Sequence, residues 1–176
     1  EKGTVTPQNK NILIANWNLQ RYGETKANKY VTEFGDIISS FDIAFLQEVQ
    51  NVNAFLELCY YMGEEYECEL SEPAGTSYKE MYGMVYRKDT VKLLEWVDLQ
   101  TEGMGMDGEE VWMRPPVVAT FDASGYVFTI WNIHVRPDDA EYEIGNLYSS
   151  VIAEKGNVIV MGDLNADCRY YPSEST

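Results

Sequence analysis

Ile43-Ala44-Phe45-Leu46 is a short, continuous apolar run that ends in Gln47-Glu48. Its length and unbroken apolar character predict a strand. A carboxylate just past a buried strand is costly to bury without a partner. The same pattern recurs along the chain. Asn11-Ile12-Leu13-Ile14-Ala15-Asn16-Trp17-Asn18 reads as a buried strand ending in a polar side chain. A run over 126–135 carries His134, and Asn157-Val158-Ile159-Val160-Met161 leads into Gly162-Asp163-Leu164-Asn165. Thus four apolar strands end at Asn18, Glu48, His134 and the pair Asp163 and Asn165. Strand ends gathered on one edge of an α/β sheet are a common place for a site. Asn, Glu and Asp offer hard oxygen ligands suited to Mg²⁺ or Mn²⁺, so a shared divalent cation is the simplest common partner.

Between these strands the pattern changes to helical spacing. Tyr30, Val31, Phe34, Ile37 and Ile38 predict a helix over 26–40. Asn53 is placed to cap a second, carrying Phe55, Leu56, Leu58 and Cys59. Asp138 opens a third, with Glu141 three residues on as in a capping box and an apolar face of Ala140, Ile144, Leu147 and Val151. Further strands are expected over 66–70, 81–87 and 91–97. A hairpin is expected from 117–121 and 126–135 around Ala123-Ser124-Gly125, and a Gly-rich acidic loop over 100–110. Strands mixed with helices imply a layered α/β architecture. The 176 residues, 45% of them hydrophobic, suffice for one sizeable core. One domain over 11–176 is expected after a polar extension over 1–10.

Bulk chemistry narrows the function. With 13 basic and 29 acidic residues the net charge is -16. Such a surface repels a polyanion at long range, so nucleic-acid binding through a general basic face is excluded. No apolar run is long enough to cross a membrane, and no membrane partner is expected. The polar start lacks an apolar signal core, so a targeting segment either never existed or was removed before Glu1. The three cysteines, Cys59, Cys68 and Cys168, fit no zinc spacing but allow one disulfide. A disulfide-capable acidic chain points to an extracellular location after processing.

His134 is the only histidine, so any imidazole acid or base must use it. Glu80, in Ser77-Tyr78-Lys79-Glu80, is a candidate to orient the ring and fix its tautomer. Arg114, before Pro115-Pro116, is a candidate for bidentate phosphate binding. Tyr170 follows the Asp163 and Asn165 pair closely enough to join the same site.

These residues resemble the endonuclease/exonuclease/phosphatase superfamily, and within it the DNase I branch. The matching segments, in family order, are Trp17-Asn18-Leu19 with Tyr22-Gly23-Glu24-Thr25, and Leu46-Gln47-Glu48-Val49. Then come Ser71-Glu72-Pro73 with Ser77-Tyr78-Lys79-Glu80, Arg114-Pro115-Pro116-Val117-Val118, Ile133-His134, and Gly162-Asp163-Leu164-Asn165-Ala166-Asp167-Cys168. The resemblance implies a four-layer α/β sandwich with two packed mixed β-sheets flanked by helices, and DNA phosphodiester hydrolysis by a metal-activated water. It implies metal binding by Glu48 with help from Asn18, and Asp163 on metal or water. It implies Asn165 on a phosphate oxygen and His134, oriented by Glu80, as the acid. Tyr78, Arg114 and Tyr170 are implied to contact nucleic acid. A monomer with no protein partner is expected.

The chain departs from the family in three places. Gln20 and Gln50 stand where DNase I-type enzymes often carry arginines that enter the DNA minor groove. The acidic loop around Asp107, Glu109 and Glu110 lies where relatives bind structural Ca²⁺, which makes it a candidate Ca²⁺ site with an imperfect pattern. The family also continues past Thr176 to a second histidine. The domain is therefore expected to be C-terminally truncated. The apolar faces of 117–135 and 157–161 are expected to be partly uncovered, and the 176 residues alone to hydrolyse DNA weakly or not at all. The alternatives are a superfamily phosphatase or phospholipid phosphodiesterase, and an inactive fragment or binding module.

Overall fold

The computed structural model describes residues 11–76, 78–99 and 111–167. In chain order these form β1 (Ile14–Tyr22), α1 (Glu24–Ile38), β2 (Ile43–Val49), α2 (Val52–Met62), β3 (Tyr66–Leu70), β4 (Met81–Arg87), β5 (Lys92–Asp98), β6 (Val117–Ala123), β7 (Tyr126–His134), α3 (Ala140–Val151) and β8 (Asn157–Asp163). One sheet has the order β1-β2-β4-β3 and the other β5-β6-β7-β8. Each is mixed: β1 and β2 run parallel, as do β7 and β8, and the remaining pairs are antiparallel.

Side-chain alternation explains the layering. In β2, Ala44 and Leu46 join Phe55 and Leu58 of α2 and Phe34 of α1 in one core. Ile43 and Phe45 point the other way, into a second core with Met84 of β4, Phe121 of β6 and Ile130 of β7. A strand buried on both faces must be apolar throughout, which is why the run at 43–46 shows no alternation. The far face of the second sheet repeats the logic, with Trp131 and Ile133 packed against Ala140 and Leu147 of α3. The result is helix, sheet, sheet, helix: the four-layer sandwich expected from the sequence.

Local details differ from the sequence reading. The cap of α2 is Asn51, whose side chain accepts from the Ala54 N–H at 2.9 Å, while Asn53 lies within the helix. No capping box forms at Asp138. A 3-10 turn over Pro137–Asp139 precedes α3, and Asp139, paired with Arg136 at 3.0 Å, makes no side-chain cap bond. β1 does not stop at Asn18 but continues through a register shift to Tyr22. The faces of β6 and β7 are largely covered by α3 and the facing sheet, and the exposure expected over 117–135 is found at the start of β7, where Tyr126 and Val127 are 57% and 46% exposed. In β8, Ile159 and Val160 are 37% and 41% exposed, as expected for that strand. Cys59 of α2 and Cys68 of β3 form a disulfide. Residues 1–10, the acidic loop with Asp107, Glu109 and Glu110, Cys168 and Tyr170 lie outside the described residues. Among the described residues no helix is long and apolar enough to cross a membrane.

Candidate active site

Topology brings the expected residues to one edge. Parallel β1 and β2 carry Asn18 and Glu48 to the same edge, Asn18 where the β1 register shifts and Glu48 one residue before the end of β2. Antiparallel β4 begins where β2 ends, so Glu80, just before Met81, arrives at the same edge. In the second sheet, the parallel register sets His134 directly beside Asp163. β6 starts opposite the end of β7, and that brings Arg114 in from the preceding loop. Contacts between β1 and β8 close the two sheets over this edge.

The space between the sheets changes character toward this edge. Deep inside it is apolar, with Ile43, Phe45, Met84 and Ile130. One step on comes a layer of amides. The Gln47 Nε2, fully buried, donates to Asn16 Oδ1 at 2.6 Å and to Asn132 Oδ1 at 2.7 Å. One side chain thereby ties β1, β2 and β7 together beneath the site. The last layer is ionic. Sequence reading missed the amide layer. Its signal was present as polar residues two apart, Asn16 with Asn18 and Asn132 with His134, inside otherwise apolar strands.

In the ionic layer, Asn18 Nδ2 donates to Glu48 Oε1 at 2.8 Å and to Asp163 Oδ2 at 2.9 Å. Its Oδ1 accepts the Gln20 backbone N–H at 2.8 Å. A backbone N–H can only donate, which fixes the amide orientation: the nitrogen faces the two carboxylates. Asn18 therefore braces both acids rather than offering them its oxygen. Two carboxylates from different sheets share one neutral donor. Among the described residues, no Lys or Arg forms an ion pair with either. Uncompensated paired carboxylates with hard oxygen donors fit a divalent cation such as Mg²⁺ or Mn²⁺.

Oxygens of Glu48 and Glu80 and a ring nitrogen of His134 also lie within 4.8 Å of one another. Glu80 is the poorer cation ligand of the two acids, because its charge is already answered. Its Oε1 is 2.5 Å from His134 Nδ1 and 3.3 Å from Arg114 Nε, with all three side chains nearly buried. The Nδ1 proton is fixed by that carboxylate, which leaves Nε2 toward Asp163 Oδ2 at 3.7 Å. Arg114 Nε also donates to the His134 carbonyl at 2.9 Å, so this part of the guanidinium braces the histidine strand. The Tyr82 hydroxyl, absent from the sequence reading, accepts the His134 N–H at 2.9 Å and donates to the Arg114 carbonyl at 3.2 Å. Burial pushes its ionisation well above the usual tyrosine range, so it stays a neutral clamp.

Backbone geometry marks the same edge. Glu48 and Asn165 have φ of 58° and 46°, in the left-handed region unusual for side chains with a Cβ. The register shift between Leu46 and Val49 is where Glu48 leaves the sheet alternation. Asn165 donates from Nδ2 to the Val135 carbonyl at 2.8 Å, and its N–H reaches Asp163 Oδ1 at 3.2 Å. Gly162 is required for close approach: a Cβ there would lie 1.9 Å from the Ile133 carbonyl oxygen. Tyr78 is 68% exposed at the tip of a loop closed by paired hydrogen bonds between Ala74 and Glu80.

Fold and site define a layered α/β protein with carboxylates, amides and one imidazole gathered where two sheets meet. The model of the Endonuclease/Exonuclease/phosphatase family matches residues 15–176, and the chain belongs to that family. It is 31% identical to Deoxyribonuclease-1 of Bos taurus, covering 92% of this chain and 63% of that protein. It is 35% identical to Deoxyribonuclease-1 of Mus musculus, over 92% of this chain and 63% of the relative. The chain thus spans less than two thirds of the length of these relatives. Among solved structures, D. rerio TDP2 complexed with single strand DNA product superposes with a TM-score of 0.68 at 18% identity, over 90% of this chain and 62% of that one. The human Nocturnin catalytic domain gives 0.60 at 18% identity, over 89% and 66%.

Proposed function

We propose that this edge is a divalent-metal-dependent phosphodiesterase site acting on DNA, with Glu48 and Asp163 holding Mg²⁺ or Mn²⁺ and His134 serving as the acid. The observation that carries the reading is the single Asn18 amide spanning two otherwise unneutralised carboxylates, with the imidazole next to the second of them. A bound divalent cation supplies Lewis-acid stabilisation of negative charge on the phosphoryl oxygens. The protein groups do the rest. Glu80 holds the His134 Nδ1 proton, so a proton carried on Nε2 is the one available to the departing oxygen. Asn165, whose Nδ2 has two protons and uses one on Val135, has a second for a phosphate oxygen. Contact with the nucleic acid is assigned in the same proposal to the exposed Tyr78, to the Arg114 N–H groups not used on Glu80 and His134, and to Tyr170. The names of the relatives, Deoxyribonuclease-1 and a DNA-product complex, support nucleic acid as the substrate class.

The test is nicking of supercoiled plasmid in Mg²⁺ or Mn²⁺. A low rate above background is expected, lost on chelation and in His134→Ala and Glu48→Ala. Cleavage of inositol phosphates or sphingomyelin in preference to DNA would place the site in the phosphatase or phospholipid branch. Absence of all three activities, together with no metal-dependent thermal stabilisation, would sink the reading.

A further inference from the structure

We infer that Arg21 and Tyr78 form a grip for a backbone phosphate flanking the one cleaved, on a nucleic-acid strand; the inference rests on the phosphodiesterase reading above. The segment between Asn18 and Tyr22 is a built turn. Gln20 and Arg21 have φ of 51° and 62°, two successive side-chain-bearing residues in the left-handed region. Such a conformation persists only where the surroundings over-determine it. Here they do. The Gln20 N–H goes to Asn18 Oδ1 at 2.8 Å and the Arg21 N–H to Glu48 Oε2 at 2.9 Å. Lys26 Nζ binds the carbonyls of Leu19 at 2.9 Å and Gln20 at 2.5 Å. The backbone of Arg21 is therefore tied directly to the carboxylate proposed to hold the metal.

The side chain that this turn presents is uncommitted. In a chain of net charge -16, the exposed Arg21 forms no ion pair and donates no side-chain hydrogen bond among the described residues. Other arginines are engaged: Arg114 with Glu80, Arg136 with Asp139, and Arg87 with Asp42 and Glu65. Arg21 instead lies with its Cζ 5.1 Å from the centroid of the exposed Tyr78 ring. The contact joins the β1 turn to the loop that delivers Glu80. It holds the guanidinium over an aromatic face while keeping its N–H donors available. A guanidinium without an ion-pair partner among the described residues, carried on a backbone bonded to Glu48 and resting on the Tyr78 ring, has one natural ligand class, an anion that can also approach the metal. A repeating phosphodiester supplies such a charge at the cleavage point and at its neighbour.

The test is fluorescence anisotropy of the full chain with a labelled single-stranded oligonucleotide in fixed Mn²⁺, over a salt series. Arg21→Gln keeps the backbone bonds and removes the charge. It should weaken binding about tenfold and lower the salt slope by roughly 0.7, the value for one phosphate contact on a single strand. Arg21→Lys should restore the slope but not the full affinity, and Tyr78→Leu should weaken binding without changing the slope. Lys88→Ala, at the remote β4–β5 turn, should change neither. Unchanged affinity and slope in Arg21→Gln, while the parent binds, would overturn this inference alone. A parent that binds no oligonucleotide with Mn²⁺ present would overturn the nucleic-acid reading and this inference with it.

Discussion

Glu80→Gln is the substitution whose outcome the geometry determines most tightly. It preserves size and removes one charge from a nearly dry cluster. Glu80 and Arg114 side chains are 7% and 11% exposed with the ion pair at 3.3 Å, and His134 is 8% exposed at 2.5 Å from the same oxygen. Removing one partner of a buried pair leaves the other charge uncompensated, at a cost of about 3–5 kcal/mol. Arg114 Nε keeps the His134 carbonyl at 2.9 Å, which argues for the lower end, about 3 kcal/mol. For a chain of this size each kcal/mol shifts Tm by roughly 2–4 °C, so a drop of about 6–12 °C is expected. Arg114→Met alone should also destabilise, because it leaves Glu80 short of a cation. The double variant removes both charges and should recover about half of the summed loss. Thermal unfolding of all four proteins in EDTA measures this. Nicking should separate from stability: the double variant is no less stable than either single variant yet stays at least about a hundredfold slow, since His134 lacks its carboxylate. Strictly additive Tm losses would refute the idea that Arg114 and Glu80 neutralise one another.

Other perturbations probe the remaining parts. Glu48→Ala should abolish the Mn²⁺-dependent rise in Tm, which in the parent amounts to about 2.7 kcal/mol at a hundredfold excess over Kd; retention of the full shift would move the metal elsewhere. Gly162→Ala places a Cβ 1.9 Å from the Ile133 oxygen, so β8 must separate from β7, with a loss above about 2 kcal/mol in urea titration. Wild-type stability there would contradict the close approach. Burial lifts Tyr22 to about 12 and pushes Tyr82 and Tyr86 up further. Their folded-state values exceed those of the unfolded chain, so the stability they contribute is intact below about pH 10 and falls as pH rises toward 12. Tm measured from pH 9 to 11.5 should decline, less steeply in Tyr22→Phe; an identical slope in that variant would exclude Tyr22 as a source.

Much of the fold was legible because burial writes itself into local pattern. The boundaries of β3 and β4 were read correctly from the residues alone, and the apolar face of α3 was too, because each depends on side chains close in sequence. Caps were less legible. Asn51 and Asn53 are equally plausible before an apolar run, and only the backbone at Asn51, extended at φ -141°, decides between them. At Asp138 the capping-box spacing is present, but Pro137 starts a 3-10 turn and Arg136 takes up Asp139, so the local signal loses to its neighbours.

The sequence by itself determined that Asn18, Glu48, His134 and Asp163 lie where apolar strand runs give way to polar residues, since such a residue stands at a core boundary; His134 and Asp163 end β7 and β8, while β1 and β2 run on past Asn18 and Glu48 to Tyr22 and Val49. It could not determine which strands are parallel, and so could not show that these ends meet. The two sheets decided that, by pairing β1 with β2 and β7 with β8 and packing their faces together. The tertiary structure also decided roles. Asn18 became the brace of two carboxylates, Arg114 the partner of Glu80, and Gln47 a buried tie between sheets. Residues 145 positions apart in the chain, such as Asn18 and Asp163, acquire a hydrogen bond only when the fold sets their distance. The turn at Gln20 and Arg21 is a further case: nothing local favours its left-handed backbone, and it exists because Asn18, Glu48 and Lys26 hold it from three sides.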